Sequence, residues 1–211
     1  MKHCILPAVL LCMTLLAGCT GRKVDLSNVT ESTIGVNGDG SVEEVVIESF
    51  DKEYYSLSDL TAYVNKQVDA FNQANPQEQP KDKKSDDEEI TAVSVHYVET
   101  DPDAKTAAMA LGYLNMDIYD AFNEVDFEFL SMEEAASDER IADIDDLVEV
   151  KSGEETTFKD LSEHKHLHLI YTDSSVRIQT NGKIIYYSKN VSLVDDHTVQ
   201  TSNDPSVILF K

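Results

Sequence analysis

The stretch STIGVNGDGSVEEVVIESF, residues 32–50, decides the first part of the fold. Two runs rich in β-branched residues flank Asn37-Gly38-Asp39-Gly40. Asn, Asp and Gly tolerate the positive φ angles that tight hairpin turns require. The stretch therefore predicts a β-hairpin at the start of the folded part of the chain.

A helix is predicted directly after this hairpin. Ser56 is a good N-cap, and Asp59 follows it three residues later. One helical face then carries an apolar stripe formed by Leu57, Leu60, Val64, Val68 and Phe71. We expect this stripe to pack on the hairpin.

The rest of the chain predicts further strands with a few helices. Residues 75–89 are polar, contain two prolines and predict a mobile loop. The residues Ile90–Glu99 predict a strand. After them, Asp101-Pro102 predicts the start of a helix that runs through Leu111. Further on, Ser131–Glu134 resembles a capping box that opens a short helix. Candidate C-terminal strands are Leu147–Val150, His166–Tyr171, Val176–Thr180, Lys183–Tyr187, Val191–Val194 and Val207–Phe210. The pattern predicts one α+β domain over 32–211, an N-terminal β-hairpin packed with helices followed by a mainly antiparallel β C-terminal region.

The N-terminus has the layout of a secretory signal peptide. Lys2 precedes an apolar run from Cys4 to Leu16, which at 13 residues is shorter than the roughly 20 that a spanning helix needs. The residues Leu16-Ala17-Gly18-Cys19 resemble the lipobox of bacterial lipoproteins. The resemblance implies cleavage after residue 18, a diacylglycerol on Cys19 and an anchor on the extracytoplasmic face of the cell membrane. A plain secreted protein cut near Gly18 or Gly21 is the alternative.

The remaining cysteines and the charge narrow the function classes. The lipobox resemblance implies that Cys4 and Cys12 leave with residues 1–18 and that lipid consumes Cys19, which would exclude thiol nucleophiles and zinc–thiolate sites. The mature chain of 193 residues then carries 40 acidic against 16 basic side chains. This charge repels phosphates, so no nucleic-acid partner is expected. Residues 19–31 are polar and predict a lipidated tether.

Two longer stretches extend the resemblance beyond the lipobox. They are VEEVVIESFDKEYYSLSDLTAYVNKQVDAFN, residues 42–72, and GKIIYYSKNVSLVD, residues 182–195. Both resemble uncharacterised surface lipoproteins of clostridia and related gut bacteria. The resemblance implies shared architecture and location and brings no activity with it.

Three histidines are the candidate metal ligands. His164, His166 and His168 alternate along a predicted strand, which places them on one face. Two histidines at this spacing can reach one Zn²⁺, with a carboxylate or water completing the site. The alternative is a polar sheet face without metal. Apart from the lipid on Cys19, no cofactor is predicted, and zinc is a secondary possibility.

The motifs for serine hydrolysis, phosphate loops and dinucleotide binding are missing from the sequence. No catalytic residue is therefore predicted. The first hypothesis is a non-enzymatic, lipid-anchored surface protein that binds a protein or cell-wall partner, and a polar cleft with pKa-shifted groups would count against it. A metal-binding protein or metal-dependent hydrolase using the three histidines is the alternative. The solute-binding component of a transporter ranks last, because the chain shows no alternating βαβ pattern.

Overall fold

The computed structural model describes residues 23–79 and 89–211. The predicted signal peptide, the lipidation site Cys19 and most of the predicted loop at 75–89 lie outside these residues. The helices are α1 (Leu57–Ala74), α2 (Met116–Asn123), α3 (Met132–Ala135), α4 (Glu139–Ala142) and α5 (Phe158–Leu161). The strands are β1 (Thr33–Val36), β2 (Val42–Ser49), β3 (Val93–Asp101), β4 (Thr106–Tyr113), β5 (Phe127–Ser131), β6 (Leu147–Glu149), β7 (Glu155–Thr156), β8 (His168–Thr172), β9 (Arg177–Thr180), β10 (Ile184–Ser188), β11 (Ser192–Asp195), β12 (Thr198–Gln200) and β13 (Ser206–Phe210).

The strands form two sheets, which we call sheet A and sheet B. Sheet A has the order β11-β12-β9-β1-β2-β4-β3, and sheet B has the order β5-β8-β13-β10-β6-β7. The pairing is antiparallel except between β1 and β9, where Ile34 faces Ile178 in parallel register. The α+β fold class with a mainly antiparallel C-terminal region is confirmed.

The predicted hairpin is confirmed as β1 and β2, with Gly35 opposite Glu43. The Asn37 N–H donates to the Ser41 carbonyl at 3.0 Å, and Gly40 adopts a φ of 83°. Only glycine reaches this region of φ at little cost, which explains the residue at that position. The turn also contacts the C-terminal half, because the Gly38 N–H donates to Asn181 Oδ1 at 3.0 Å.

One main core lies between the two sheets. Sheet A contributes Ile34, Val36 and Leu111, and sheet B contributes Ile170 and Ile208. A second core lies on the opposite face of sheet B, where the short helices α3, α4 and α5 cover it through Met132, Ala135, Ile141, Phe158 and Leu161. Sheet B is therefore covered on both faces.

The predicted helix is confirmed as α1, with Ser56 Oγ accepting from the Asp59 N–H at 3.3 Å. Its main partner is β3, whereas we expected the hairpin. Asn72 fixes this contact, because its side chain donates to the Val93 carbonyl at 2.8 Å and accepts from the Val93 N–H at 2.9 Å. β4 and β3 extend sheet A beyond the hairpin, and α1 covers that extension.

The helix predicted from Asp101-Pro102 through Leu111 is wrong. Residues 102–105 form a turn, and Thr106–Tyr113 is the strand β4 between β2 and β3. Asp101 Oδ1 accepts from the N–H groups of Asp103 and Ala104 at 2.9 and 3.0 Å, so it stabilises a turn and not a helix start. Pairing on both edges outweighs the helix propensity of the alanines in β4.

Part of the predicted tether packs against sheet A. Leu26 is buried against Val45 and Ala110 on the outer face of the sheet, and Val24 and Val29 join them. The Val24 N–H donates to Asn37 Oδ1 at 2.8 Å. We call residues 24–29 the strap, since they cross the outer face of sheet A.

Within residues 23–79 and 89–211, no helix has the length and apolar character needed to cross a bilayer.

Candidate functional site

A carboxylate lies on the inner face of sheet A. Along β2 the side chains alternate, so that Val42 enters the main core and Val45 faces the strap. Glu44 pairs with Ile34 and therefore shares the inner face with this core residue. The same alternation that buries Val42 on the inner face therefore places the Glu44 carboxylate beside core residues.

Two phenol groups hold this carboxylate. Tyr113, the last residue of β4, donates to Glu44 Oε2 at 2.6 Å, and Tyr119 of α2 donates to Oε1 at 3.4 Å. Asn123 Nδ2 in turn donates to the Tyr113 hydroxyl at 3.3 Å. Both tyrosine side chains are 3% exposed, and their rings meet edge to face with centroids 5.0 Å apart. The two donors are therefore fixed by packing before any ligand arrives.

Burial shifts the titration of this group. Desolvation raises the pKa of the Glu44 carboxyl above its ordinary value of 4.5, and the hydrogen bonds from Tyr113 and Tyr119 act in the opposite direction. Desolvation also raises the pKa of both tyrosines, and the nearby Glu44 carboxylate raises them further. Both phenols therefore stay protonated near neutral pH and act as hydrogen-bond donors.

A cavity of about 320 Å³ adjoins this cluster. Its wall includes Glu44 and Tyr119 together with polar residues of β1, β9 and their connections. Glu31 and Arg177 also line it, and they form an ion pair at 3.5 Å in which Glu31 is 67% exposed. We call this space the Glu44 cavity. Its volume is at the lower end of the range for small-molecule sites, about 300–1,000 Å³.

A second polar group lies on the outer face of sheet A, beside the strap. His96 Nε2 is 2.9 Å from Glu43 Oε2, and the pair lines a cleft of about 260 Å³ with Val24 and Leu26. Gly112 makes room for it, because a Cβ there would lie 2.6 Å from His96 Nε2. The cleft is wide open, and we assign the pair a structural role in joining β2 to β3.

An apolar groove of about 430 Å³ lies between α1 and α2. Val64 and Phe71 of α1, Phe122 of α2 and Met109 and Leu111 of β4 form its floor and walls. The exposed ring of Tyr63 and the residue Glu124 stand at its edge.

The strand predicted for the three histidines is wrong, because β8 begins at His168. His164 and His166 lie in the preceding turns, where the Leu167 N–H donates to the His164 carbonyl at 2.9 Å. The rings of His164 and His166 stack with centroids 5.9 Å apart, whereas His168 stacks on Phe129 at 5.4 Å. Burial lowers the pKa of His168. Among the described residues, no three His, Cys, Asp or Glu side chains are grouped as metal ligands.

Glu44, Tyr113 and Tyr119 were not predicted from the sequence. One signal was available, since Glu44 interrupts the alternation of Val42 and Val46 on one face of β2. The tyrosines gave none, because they approach Glu44 only through the pairing of β2 with β4 and the position of α2.

No protein-family model, curated protein or solved structure matches this chain.

Proposed function

We propose that this chain is a lipid-anchored extracytoplasmic protein that binds a small polar ligand in the Glu44 cavity without transforming it. The observation that carries the binding site is the Glu44 carboxylate, which is fixed by two buried phenols in the wall of a cavity of about 320 Å³. The lipobox at Leu16–Cys19 supports the location.

A fixed carboxylate beside a cavity is suited to recognition. An ionised carboxylate offers about four acceptor positions, and the two tyrosines occupy two of them. Among the residues that the structure describes, no further side chain donates to Glu44, so the remaining positions are available to donors on a ligand. Rigid supporting residues reduce the entropy that binding costs, and the ring contact of Tyr113 with Tyr119 supplies such support.

A polar cleft with a pKa-shifted group counts against a non-enzymatic protein, and the Glu44 cavity has one. Acid–base catalysis of this kind commonly pairs such a carboxyl with a second group whose pKa is shifted the other way. Here the two groups that contact Glu44 are phenols whose pKa values are raised, so both serve as donors. Glu31, the other carboxylate in the wall, is largely exposed and paired with Arg177. This arrangement favours binding over catalysis.

Anchoring is tested by expressing the full-length chain and its Cys19→Ala variant in a bacterial host supplied with labelled palmitate. The wild-type protein is expected to carry the label and to fractionate with membranes. The variant is expected to carry none. A wild-type chain without label would overturn the anchored location.

Binding is tested on the full-length protein in detergent with a library of small polar compounds, followed by thermal unfolding. A ligand at 100 times its Kd adds about 2.7 kcal/mol, which raises the Tm of a chain of this size by roughly 5–10 °C. We expect hits that Glu44→Gln abolishes and that Glu48→Gln retains, because Glu48 is an exposed acid on the same strand. A library without hits, or hits indifferent to Glu44→Gln, would overturn the site.

A further inference from the structure

We propose that the Glu44 cavity selects ligands that carry a primary ammonium group, which binds directly to the Glu44 carboxylate. This inference rests on the proposed function and specifies the class of ligand that the same cavity takes. It follows from the partners of the carboxylate, the charge around it and the chemistry of the cavity wall.

The partners of Glu44 leave its charge uncompensated. The tyrosines donate neutral O–H bonds at 2.6 and 3.4 Å, and no ion pair among the described residues involves Glu44. Glu44 is half-buried, and a partly desolvated charge without a counter-ion costs free energy that a bound cation would offset. An ammonium group also brings three N–H donors, which suit the acceptor positions that the tyrosines leave open.

A divalent metal ion fits the site less well than an organic cation. Mg²⁺ and Ca²⁺ are bound by six or more oxygen ligands, several of them carboxylates or carbonyls. In the part of the chain that the structure describes, Glu44 belongs to no group of three potential metal ligands. The two phenol oxygens that contact Glu44 donate their O–H bonds to the carboxylate, so they are already committed as donors.

The charge around the Glu44 cavity also favours a cationic ligand. The full chain has a formal charge of −23, and this field raises the local concentration of cations at its surface. Of the described residues in the cavity wall, Arg177 is the cationic one, and its ion-pair partner is Glu31 rather than Glu44. The polar wall residues Ser175 and Gln200 can contact the polar remainder of a small amine.

The test compares three probes of one size with different charge: n-butylammonium, n-butanol and butyrate. Binding to the full-length protein in detergent is measured by calorimetry, and the site is located from the NMR shifts of the Ile34, Glu44 and Val176 amides. We expect saturable binding of butylammonium alone, with shifts at these amides. The substitution Glu44→Gln should weaken the affinity for butylammonium about tenfold or more, because it removes one charge-assisted hydrogen bond. The matched control Glu48→Gln should bind as the wild type does.

A second measurement needs no variant. Affinity of the wild-type protein for butylammonium should fall as pH is lowered through the titration of Glu44, because the protonated carboxyl no longer attracts a cation. The probe itself stays charged throughout, so a flat profile between pH 8 and pH 4 would contradict the inference.

The outcomes separate this inference from the proposed function. If butanol or butyrate binds and shifts the same amides while butylammonium does not, the cavity is a binding site and the inferred class is wrong. If Mg²⁺ or Ca²⁺ binds there and butylammonium does not, the ligand is a metal ion and the inference also fails. If no probe and no library compound shifts these amides, the proposed function fails as well.

Discussion

Sheet B and sheet A differ in the residues that cover their two faces. In sheet B all five residues of β13 are buried, with Ile208 and Phe210 in the main core and Val207 and Leu209 in the second core. In sheet A the inner face carries the Glu44 carboxylate and the outer face is covered by the thin strap. The Glu44 cavity, the cleft beside the strap and the groove between α1 and α2 are all lined by sheet A residues. Sheet B is therefore covered on both faces by the two cores, whereas these three spaces, among them the proposed ligand site, open at sheet A.

The largest expected effect tests the contribution of the buried strand β13 to stability. Phe210→Ala removes a fully buried ring and should lower the free energy of unfolding by about 3–5 kcal/mol. The control Val194→Ala, at a side chain that is 46% exposed on β11 of sheet A, should change it by less than about 0.5 kcal/mol. Urea denaturation measures both. Equal effects of the two substitutions would break the comparison.

A second substitution tests the cover of sheet A. A Cβ at Gly35 would lie 2.5 Å from Val24 Cγ1, so Gly35→Ala should displace the strap and cost about 1–3 kcal/mol. Hydrogen exchange at the Val24 amide, which is bonded to Asn37, should accelerate. Adding Val24→Ala to Gly35→Ala relieves the clash and should restore part of the loss. If Gly35→Ala leaves exchange at Val24 unchanged, the strap does not depend on this contact.

The histidines also differ in how much they contribute to the stability of the fold. His168→Ala removes a ring stacked on Phe129 at the start of β8 and should cost about 1–2 kcal/mol, whereas His166→Ala, at an exposed turn residue, should cost less than about 0.5 kcal/mol. Because burial lowers the pKa of His168, its contribution is present above pH 6.5 and is lost as pH falls below that value. The difference between wild type and His168→Ala should therefore shrink in acid. A constant difference from pH 8 to pH 5 would contradict this assignment.

The smallest effect on folding is expected at Glu44, with the opposite sign. The raised pKa of Glu44 means that its carboxyl binds the proton more tightly in the folded state than in the unfolded state. The contribution of Glu44 to the stability of the fold is therefore lost as pH rises above 4.5. Glu44→Gln should therefore gain stability relative to wild type as pH is raised from 4 to 8, while ligand binding is lost. Thermal unfolding across this range measures it. A destabilised Glu44→Gln at pH 8 would assign Glu44 to the framework.

The elements that the sequence predicts correctly depend on local interactions. The β1–β2 hairpin follows from Asn37–Gly40, α1 from the Ser56 cap, and α3 from the capping box of Ser131 and Glu134. Each of these turn or cap residues acts within a few residues of the element that it starts or turns. Such signals can therefore be recognised in the sequence without knowledge of the tertiary structure.

The errors arise where pairing in space decides the outcome. The alanines of Thr106–Tyr113 favour a helix, but two neighbouring strands make this segment the strand β4. The alternation of His164, His166 and His168 suggested one strand, yet the turns before His168 place the first two outside it. The Glu44 site depends on which face of β2 turns inward, and residues far along the chain determine this.

If the chain is lipidated at Cys19 as proposed, the strap limits how far the folded part can lie from the bilayer. A tether over 19–31 spans up to about 40 Å when extended, whereas packing of Val24 on sheet A leaves only the five steps from Cys19, about 18 Å at most. In a molecule lipidated at Cys19, the outer face of sheet A therefore lies close above the headgroups. At full extension this gap reaches about two Debye lengths at physiological ionic strength, roughly 8 Å each, and at that distance repulsion between the acidic surface and anionic lipids is largely screened. In a chain lipidated at Cys19 as proposed, a linker of this length would restrict the orientation of the folded part and still allow its acidic surface to stand off from the bilayer.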